Sequence, residues 1–380
     1  MTEKKEIHVV YIITKLELGG AQKVCLTLFR GLADVGSSLI SGSHGYFVSQ
    51  VQDEKSVYLL PELEREISPL FFIREARALV VLIKKLRELK QQHPHVIVHT
   101  HSSKAGILGR WAAFFVGIKV RIHTIHGFGF HDHQRTLFWL ASYLVELITS
   151  CITTHYVCVS SADIATGLKI IPRFSQKYSL IRAAVDWHKF TPAHYTPAQF
   201  PQEQAPFIFG SIACFKPQKN LFDLLQAFEL VHAFNPHTRL ELIGDGILRP
   251  ALEAWVKEHG LVDTVYFHGW QQEVAPIMFS WHAFVLSSLW EGLPCSVVEA
   301  RLLRLPVVSY DTGGIHDVII PARNGLLYPQ KKWRALAEGM KLICSDKETF
   351  AQLQRNSEDL HQFQDTTMIK QHEELYQSFF

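Results

Sequence analysis

The sequence predicts an α/β protein built from two Rossmann-like domains. Short apolar runs alternate with amphipathic helical segments along the chain, and a segment without periodicity divides two such series. A single core rarely grows beyond about 250–300 residues, so a chain of 380 residues favours two domains. We therefore expect two parallel sheets covered by helices, with the domains facing each other across a cleft.

The first series consists of a strand at 8–13, a helix at 21–32, a helix at 72–90 and a strand at 96–99. The 72–90 helix shows its period clearly, because apolar residues recur every three or four positions. The predicted buried face comprises Phe72, Ala76, Leu79, Val80, Ile83 and Leu86. The opposite face carries Arg74, Arg77, Lys84 and Lys85.

The segment 191–206 is rich in Pro, Gln and Ala and is interpreted as the linker between the domains. We expect an N-terminal domain at 1–195, a C-terminal domain at 206–365, and a last helix at 366–380 that packs back on the N-terminal domain. The second series predicts strands at 207–213, 239–243, 265–268, 283–287 and 306–309, with helices at 221–234 and 248–259.

Composition limits the class of protein. The formal net charge of +2 is too small for a protein that mainly grips nucleic acid. Six scattered cysteines without a CxxC pair fit a reducing compartment. The first residues lack the order of a signal peptide, and no uncharged apolar run reaches the ~20 residues of a membrane span. We expect a cytoplasmic protein, with peripheral contact of the basic helix face with the membrane as an alternative.

The most informative segment is 287–299, which reads SSLWEGLPCSVVE. A strand ends near Ser287, and Pro294 occupies the position of a first helical residue, so a helix should begin at this loop. Its N-terminal amides and dipole suit a phosphate, and Gly292 lets the backbone approach closely. Glu291 precedes the helix and Glu299 lies about a turn and a half inside it. The two carboxylates are expected to bracket a ligand.

This Glu-x7-Glu segment resembles the donor-site signature of the family 4 retaining glycosyltransferases of GT-B fold, which include the bacterial glycosyl transferases group 1. The glycine loop at 19–24 and the histidine-containing segments at 99–106 and 123–128 are similar to segments of the same family. The second half adds matching segments at 216–220, 244–246, 311–314 and 324–327. The resemblance spans roughly residues 7 to 330.

The resemblance implies a nucleotide-sugar donor held by the C-terminal domain, a glycan, lipid-linked or small-molecule acceptor on the N-terminal side, retained anomeric configuration, and no required metal or cofactor. His126, Glu291 and Lys219 are the implied catalytic residues. Glu299 would hold the ribose and Glu291 a sugar hydroxyl. The other implied donor-binding residues are Gly19, Gly20, Lys216, Gly244, Gly246, Gly292, Leu293, Gly313 and Gly314. Cys214 stands where the family commonly has an arginine, so Lys216 is the substitute cation.

Several alternatives remain open at this stage. Glu291 and Glu299 could be solvated carboxylates, and Gly19 and Gly20 could simply start a helix. The histidines 99, 101, 123, 126, 131 and 133 could suggest a metal site, although no third ligand follows at a recognisable spacing. A sugar-nucleotide epimerase of the same double-Rossmann plan and a non-catalytic sugar-nucleotide-binding protein are the rival functions.

Overall fold

The computed structural model describes residues 6–32, 35–64, 71–130, 134–191, 195–202, 204–355 and 359–380, and the side chains of Phe71 and Phe72 are not described. The chain divides into two compact units. Unit 1 contains the described residues up to Ala184 together with Asp365–Phe380, and unit 2 is Val185–Gln364. The residues 185–195 belong to unit 2, so the division falls before the predicted linker.

Unit 1 is a parallel sheet of seven strands in the order β3-β2-β1-β4-β5-β6-β7. All seven residues of its central first strand are buried, as expected for a strand covered on both faces. The elements are β1 (Ile7–Ile13), α1 (Gly20–Gly31), β2 (Gly36–Ser41), α2 (Val48–Val51), β3 (Val57–Leu59), α3 (Phe71–Gln92), β4 (His95–His101), α4 (Ser103–Val116), β5 (Val120–Ile125), α5 (Thr136–Ser150), β6 (His155–Cys158), α6 (Ser161–Ile170) and β7 (Tyr178–Leu180).

Unit 2 is a parallel sheet of six strands in the order β10-β9-β8-β11-β12-β13. Its core joins aromatic side chains of β8 to leucines of the following helix, including Phe207, Phe209 and Leu224. The elements are α7 (Trp187–Phe190), β8 (Phe207–Ile212), α8 (Leu221–Phe234), β9 (Thr238–Ile243), α9 (Arg249–Glu258), β10 (Val265–Gly269), α10 (Ala275–Met278), β11 (Ala283–Leu286), α11 (Cys295–Leu302), β12 (Val307–Tyr310), β13 (Gly325–Tyr328), α12 (Trp333–Ser345) and α13 (Lys347–Arg355).

Both sheets reverse the direction of winding beside their first strand. In unit 1 the chain builds outward from β1 through β2 and β3, then returns to place β4 on the other side of β1. In unit 2 the chain builds outward from β8 through β9 and β10, then returns to place β11 on the other side of β8. Open α/β sheets bind ligands at such switch points, outside the carboxyl ends of the strands. The predicted fold class, α/β with two Rossmann-like domains, is confirmed.

The last helix, α14 (Asp365–Gln377), belongs to unit 1 although it follows the whole of unit 2 in the chain. Its Tyr376 hydroxyl lies 2.6 Å from His99 Nδ1 and 3.0 Å from the Tyr11 hydroxyl. Ile369 packs so closely on α1 that a Cβ at Gly31 would lie 2.4 Å from its Cδ1. The helix is therefore an integral part of the first core.

The buried face of α3 agrees with the prediction in part. Leu86 is buried, and Leu79 and Ile83 are partly buried against the core. Ala76 and Val80 are exposed instead, and Val80 keeps 64% of its surface. The residues buried in addition are Ala78, Leu82 and Leu89. The centre of the buried face is therefore rotated from the predicted one, because the apolar period alone does not decide which side the core covers. Among the described residues, no helix combines the length and apolarity that crossing a bilayer requires.

Buried histidines line the junction between β4, β5 and α14. Burial lowers the pKa of His126 and of His372 to about 4. It also lowers the pKa of His99, His101 and His123 well below the ordinary value of 6.5. The folded chain therefore holds these rings neutral, whereas the unfolded chain exposes them to protons.

We expect the free energy of unfolding to be constant above pH 6.5 and to fall as the pH drops toward 4. In this window the unfolded chain binds protons that the folded chain excludes. The free energy of unfolding should therefore fall by up to about 1.4 kcal/mol per pH unit for each of these histidines. Urea denaturation at pH 7.5 and 5.5 measures the effect. His372→Leu should weaken the pH dependence, and the exposed His237→Leu should not. An identical slope in His372→Leu would contradict this assignment.

Candidate active site

Lys219 and Glu291 form an ion pair at the carboxyl edge of the second sheet. A single 3-10 turn, Pro217–Lys219, follows β8 and carries the lysine. Glu291 lies in the loop between β11 and α11, and its Oε1 accepts from Lys219 Nζ. The two side chains are only 17% and 10% exposed. The structure thus brings two of the predicted catalytic residues together across the switch point between β8 and β11.

Hydrogen bonds hold these two loops in register. The amide of Leu289 donates to the Gln218 carbonyl at 2.9 Å, and Gln218 Nε2 donates to the Trp290 carbonyl at 2.7 Å. Ser287 Oγ donates to the Lys219 carbonyl at 2.8 Å. The ion pair is therefore built on a backbone that is already fixed, which reduces the entropy lost on ordering its long side chains.

Glu299 lies on α11 and is 6% exposed. The helix begins at Cys295, one residue later than predicted, and Pro294 is its N-cap. Gly292 and Leu293 are buried immediately before it. The positive end of the helix dipole therefore faces the loop that carries Glu291, which suits an anion.

Gly313 and Gly314 support that loop. Gly313 has φ +50°, and a Cβ there would lie 2.0 Å from the Glu291 carbonyl oxygen. The Gly314 amide donates to the Gly292 carbonyl at 2.7 Å. No α-helix begins after Gly314, because Gly313–Asp317 is a 3-10 segment with non-helical backbone angles at Gly314.

Gly244 and Gly246 lie against the backbone that follows β8. A Cβ at Gly244 would meet the Ala213 carbonyl oxygen at 1.9 Å, and one at Gly246 would meet the Phe215 carbonyl oxygen at 2.6 Å. The Gly244 amide donates to the Gly269 carbonyl at 2.8 Å, and the Gly246 amide to Asp245 Oδ1 at 2.7 Å. These glycines shape the segment that carries Lys216. Their direct contact with a donor stays a prediction.

The structure adds three polar residues that the sequence did not single out. Ser288 Oγ, Thr312 Oγ1 and Asn220 Nδ2 are buried without a hydrogen-bond partner among the described residues. They follow β11, β12 and the Lys219 turn, respectively. Buried polar groups normally find partners, so a cluster of unpaired ones at a sheet's switch point indicates a ligand site. All three lie inside the segments 216–220, 287–299 and 311–314 that the sequence indicated, but no role was assigned to them there.

The switch point of unit 1 carries the glycine loop. Gly19 is the N-cap of α1, and Gly20 is its first residue. Ser102, directly after β4, has φ +64° and ψ 147°, a conformation normally restricted to glycine. Its hydroxyl lies 2.8 Å from Thr14 Oγ1, which ties the end of β4 to the end of β1. Such local strain is typical of functional loops, and no residue pattern indicated it.

His126 follows β5 and contacts His101. His126 Nε2 lies 3.0 Å from His101 Nδ1, and His101 Nε2 is buried without a partner. A buried N–H without an acceptor costs more than an unused lone pair, so the favoured arrangement has His101 Nδ1–H donating. His126 then carries its proton on Nδ1, which makes that atom a hydrogen-bond donor.

Among the described residues, no three histidine, cysteine or acidic side chains are arranged to hold a metal ion. Both ring nitrogens of His99 make hydrogen bonds, Nδ1 with the Tyr376 hydroxyl and Nε2 with Thr124 Oγ1 at 2.7 Å. His123 Nδ1 lies 2.9 Å from Thr100 Oγ1. His131 and His133 lie outside the described residues. The expectation that no metal or cofactor is required stays a prediction.

Two family models match the chain. Residues 19–169 match the glycosyl transferase 4-like domain, and residues 196–360 match glycosyl transferases group 1. The chain is 28% identical over 351 residues to the UDP-Gal:alpha-D-GlcNAc-diphosphoundecaprenol alpha-1,3-galactosyltransferase of Escherichia coli, covering 90% of this chain and 89% of the relative. It is 21% identical to the capsular polysaccharide biosynthesis glycosyltransferase CapM of Staphylococcus aureus, over 78% and 77% of the two chains.

A solved structure shares the fold across almost the whole chain. HepE of Anabaena, in complex with UDP and glucose, superimposes with a TM-score of 0.79 at 16% identity, covering 97% of this chain and 99% of that one. The fold is therefore GT-B, and the protein is a glycosyltransferase. With both models matched in order along its length, the chain belongs to glycosyltransferase family 4. None of the relatives named above supports the epimerase alternative, and a non-catalytic role is likewise set aside.

Replacing Thr312 by valine should separate ligand binding from stability. The Thr312 hydroxyl has no partner among the described residues, so its loss should leave the free energy of unfolding unchanged or slightly raised. If it binds the nucleotide-sugar donor, affinity should fall by about two- to tenfold, the value of one neutral hydrogen bond. Differential scanning fluorimetry and calorimetry measure the two quantities.

Thr238→Val is the matched control for this change. The Thr238 hydroxyl donates to the Asn235 carbonyl at 2.8 Å inside unit 2. This variant should lose stability and keep its donor affinity. If Thr312→Val shows that same pattern, its hydroxyl has a structural role and the ligand assignment is wrong.

Proposed function

We propose that the protein transfers a hexose from a UDP-hexose to a lipid-linked glycan acceptor in the synthesis of a cell-surface polysaccharide or glycolipid. The observation that carries the proposal is the Lys219–Glu291 ion pair at the carboxyl edge of the second sheet, beside the start of α11. The E. coli relative is named for UDP-Gal and a diphosphoundecaprenol acceptor, and HepE was solved with UDP and glucose. These names support the choice of donor and acceptor.

The leaving group of this reaction is a nucleoside diphosphate, whose charge grows as the glycosidic bond breaks. We assign Lys219 and Lys216 as the cations that meet this charge, with the N-terminal end of α11 behind Gly292 and Leu293. Glu299 would hold the ribose hydroxyls, and Glu291 a hydroxyl of the transferred sugar. The pairing of Glu291 with Lys219 directs the lysine toward the loop that carries Glu291.

Transfer is proposed to retain the anomeric configuration. The sugar carbon becomes oxocarbenium-like, and the departing phosphate oxygen takes the acceptor proton on the same face, so no second carboxylate base is needed. No divalent cation is proposed, because lysines and a helix terminus can stabilise the diphosphate. In unit 1 we assign Gly19 and Gly20 as backbone amides for a phosphate or acceptor, and His126 Nδ1 as a donor to the transferred sugar.

The proposed location is the cytoplasm, with unit 1 in peripheral contact with the inner face of the membrane. The basic face of α3 was the first candidate surface. Two of its four cations are partly neutralised, because Arg74 pairs with Glu64 and Lys85 lies 2.9 Å from Glu88. Electrostatic attraction by α3 alone would therefore be weak.

The stereochemistry of the product tests the proposed reaction. Incubation of UDP-galactose or UDP-glucose with a lipid-linked acceptor in the presence of EDTA should still yield product, and its new linkage should keep the α configuration of the donor. The anomeric proton coupling in NMR reports the configuration. An inverted product would contradict the proposed mechanism, and activity that returns only with Mg²⁺ or Mn²⁺ would contradict metal independence.

The two glutamates should differ in what they bind. Glu299→Gln should weaken free UDP and UDP-hexose alike, because both contain the ribose. Glu291→Gln should weaken UDP-hexose but leave UDP unchanged or bound more tightly, since Lys219 loses a competing carboxylate. Each lost hydrogen bond to a charged group should cost about tenfold to hundredfold in the dissociation constant, measured by calorimetry. His126→Gln should resemble Glu291→Gln and lower turnover.

The matched control for Glu299→Gln is Glu253→Gln on α9, which removes an exposed carboxylate paired with Arg249. It should change neither ligand. Equal weakening of UDP and UDP-hexose by Glu291→Gln, or undiminished UDP binding by Glu299→Gln, would show that the donor is placed wrongly across this loop and helix.

A further inference from the structure

The helix α5 has its polar side turned inward and its apolar side turned to solvent. The residues it buries are Glu146, Thr149 and Ser150. Leu137 keeps 80% of its surface and Ile148 keeps 58%. The exposed apolar residues of the helix are Leu137, Phe138, Leu140, Leu144, Val145 and Ile148. This arrangement is the reverse of an ordinary surface helix.

A buried ion pair fixes this orientation. Glu146 is the only charged residue of Thr136–Ser150, and it accepts two hydrogen bonds, of 2.8 and 2.9 Å, from the fully buried Arg110 of α4. Tyr156 OH donates to the same carboxylate at 3.1 Å. Turning the apolar face inward would move Glu146 to solvent and leave Arg110 buried without its partner, which is strongly destabilising. The helix is therefore held with its leucines outside.

The end of α4 extends the same surface. Phe114 and Phe115 are exposed, and both rings pack against Trp111, with ring centroids at 5.8 and 5.7 Å. Trp111 Nε1 donates to Thr149 Oγ1 at 3.1 Å, which places these aromatic residues beside the C-terminal part of α5. We call this continuous surface of α5 and the end of α4 the apolar patch. Contiguous patches of this kind mark interaction sites in soluble proteins.

Cations flank the apolar patch. Lys119 is exposed just after α4, and Arg135 is exposed at the start of α5. Lys90 Nζ donates to the Val116 carbonyl at 2.8 Å, at the end of α4. In the sequence from Leu89 to Ser161 the acidic residues are Asp132 and Glu146, and the basic ones are Lys90, Lys104, Arg110, Lys119, Arg121 and Arg135. Because Arg110 pairs with Glu146 and Lys104 with Glu75, the exposed cations beside the patch are Lys90, Lys119 and Arg135.

We infer that the apolar patch seats unit 1 on an anionic lipid bilayer, with α5 lying in the plane of the interface. Helices of this kind bury leucine, phenylalanine and tryptophan at the boundary between headgroups and acyl chains, while lysine and arginine meet the anionic headgroups. The exposed residues of α5 offer a protein partner almost no hydrogen bonds, whereas lipid chains require none. The inference rests on the proposed lipid-linked acceptor, to which such a surface would bring the enzyme.

Partition into vesicles tests the inference. The wild-type protein should sediment with phosphatidylcholine vesicles that contain phosphatidylglycerol, and less with phosphatidylcholine alone. The variant Leu137→Ser/Leu144→Ser/Ile148→Ser should lower the partition coefficient by at least about a hundredfold, because each exposed side chain loses apolar burial worth about tenfold. All three positions are already solvated, so the fold should persist, as circular dichroism can verify.

Two further variants serve as controls. Val262→Ser/Ile320→Ser/Leu342→Ser removes three exposed apolar residues from unit 2 and should leave partition unchanged. Lys119→Gln/Arg135→Gln should lower binding to the anionic vesicles by about fivefold per charge, and should leave binding to neutral vesicles unchanged. Wild-type protein that fails to partition, or an apolar-patch variant that partitions like the wild type, overturns the inference.

Light scattering distinguishes a second copy of the chain from lipid. A wild-type dimer that becomes monomeric in the apolar-patch variant would make the patch a self-association surface and overturn the lipid assignment. Calorimetry with UDP separates this inference from the proposed function. The apolar-patch variant should bind UDP normally and lose transfer to a membrane-embedded acceptor but not to a detergent-dispersed one. Wild-type protein that binds vesicles but not UDP would refute the proposed function and leave the surface standing.

Discussion

The organisation of the molecule depends on the parallel pairing of every strand in both sheets. Each strand must be followed by a crossover before the next begins, so the carboxyl ends of all strands in a sheet lie along one edge. The loops with unusual chemistry lie at that edge: the glycine loop and Ser102 in unit 1, and Lys219 and Glu291 in unit 2. At the switch points no crossover helix covers the strand ends, which leaves room for a ligand.

Within unit 2 the backbone of the site is held in place by the protein's own contacts. Three hydrogen bonds join the loops after β8 and β11, and glycines allow neighbouring backbones to approach more closely than any side chain would permit. Charged groups held on a fixed backbone need little reorganisation when charge develops on a leaving group, which is the main electrostatic advantage of an enzyme over water. Among the described residues the buried hydroxyls of Ser288 and Thr312 have no hydrogen-bond partner, so a ligand that bound them would recover the cost of their desolvation.

Unit 1 uses buried polar groups to fix orientation. The Arg110–Glu146 pair and the ring contacts of His99, His101 and Tyr376 are specific in direction, unlike apolar contacts. Breaking the Arg110–Glu146 pair would leave an uncompensated buried charge, which fixes the rotation of α5. The buried histidines are expected to make unit 1 sensitive to acid. The Arg110–Glu146 pair leaves the apolar surface of α5 outside.

The sequence by itself determined the alternation of elements, the two-domain α/β class and the positions of Glu291, Glu299 and Lys219, because strand periodicity, turn residues and motif spacing are local properties of the chain. Its element bounds differ from the structure by only a few residues. The tertiary structure decided which residues of α3 are buried and that no α-helix starts at Gly314. It also decided that the chain divides after Ala184 and that Lys219 pairs with Glu291. It alone showed that α5 turns its leucines outward. These features depend on contacts between residues far apart in the chain, such as Arg110 with Glu146 and Tyr11 with Tyr376, and no local pattern encodes which distant partner a side chain will meet.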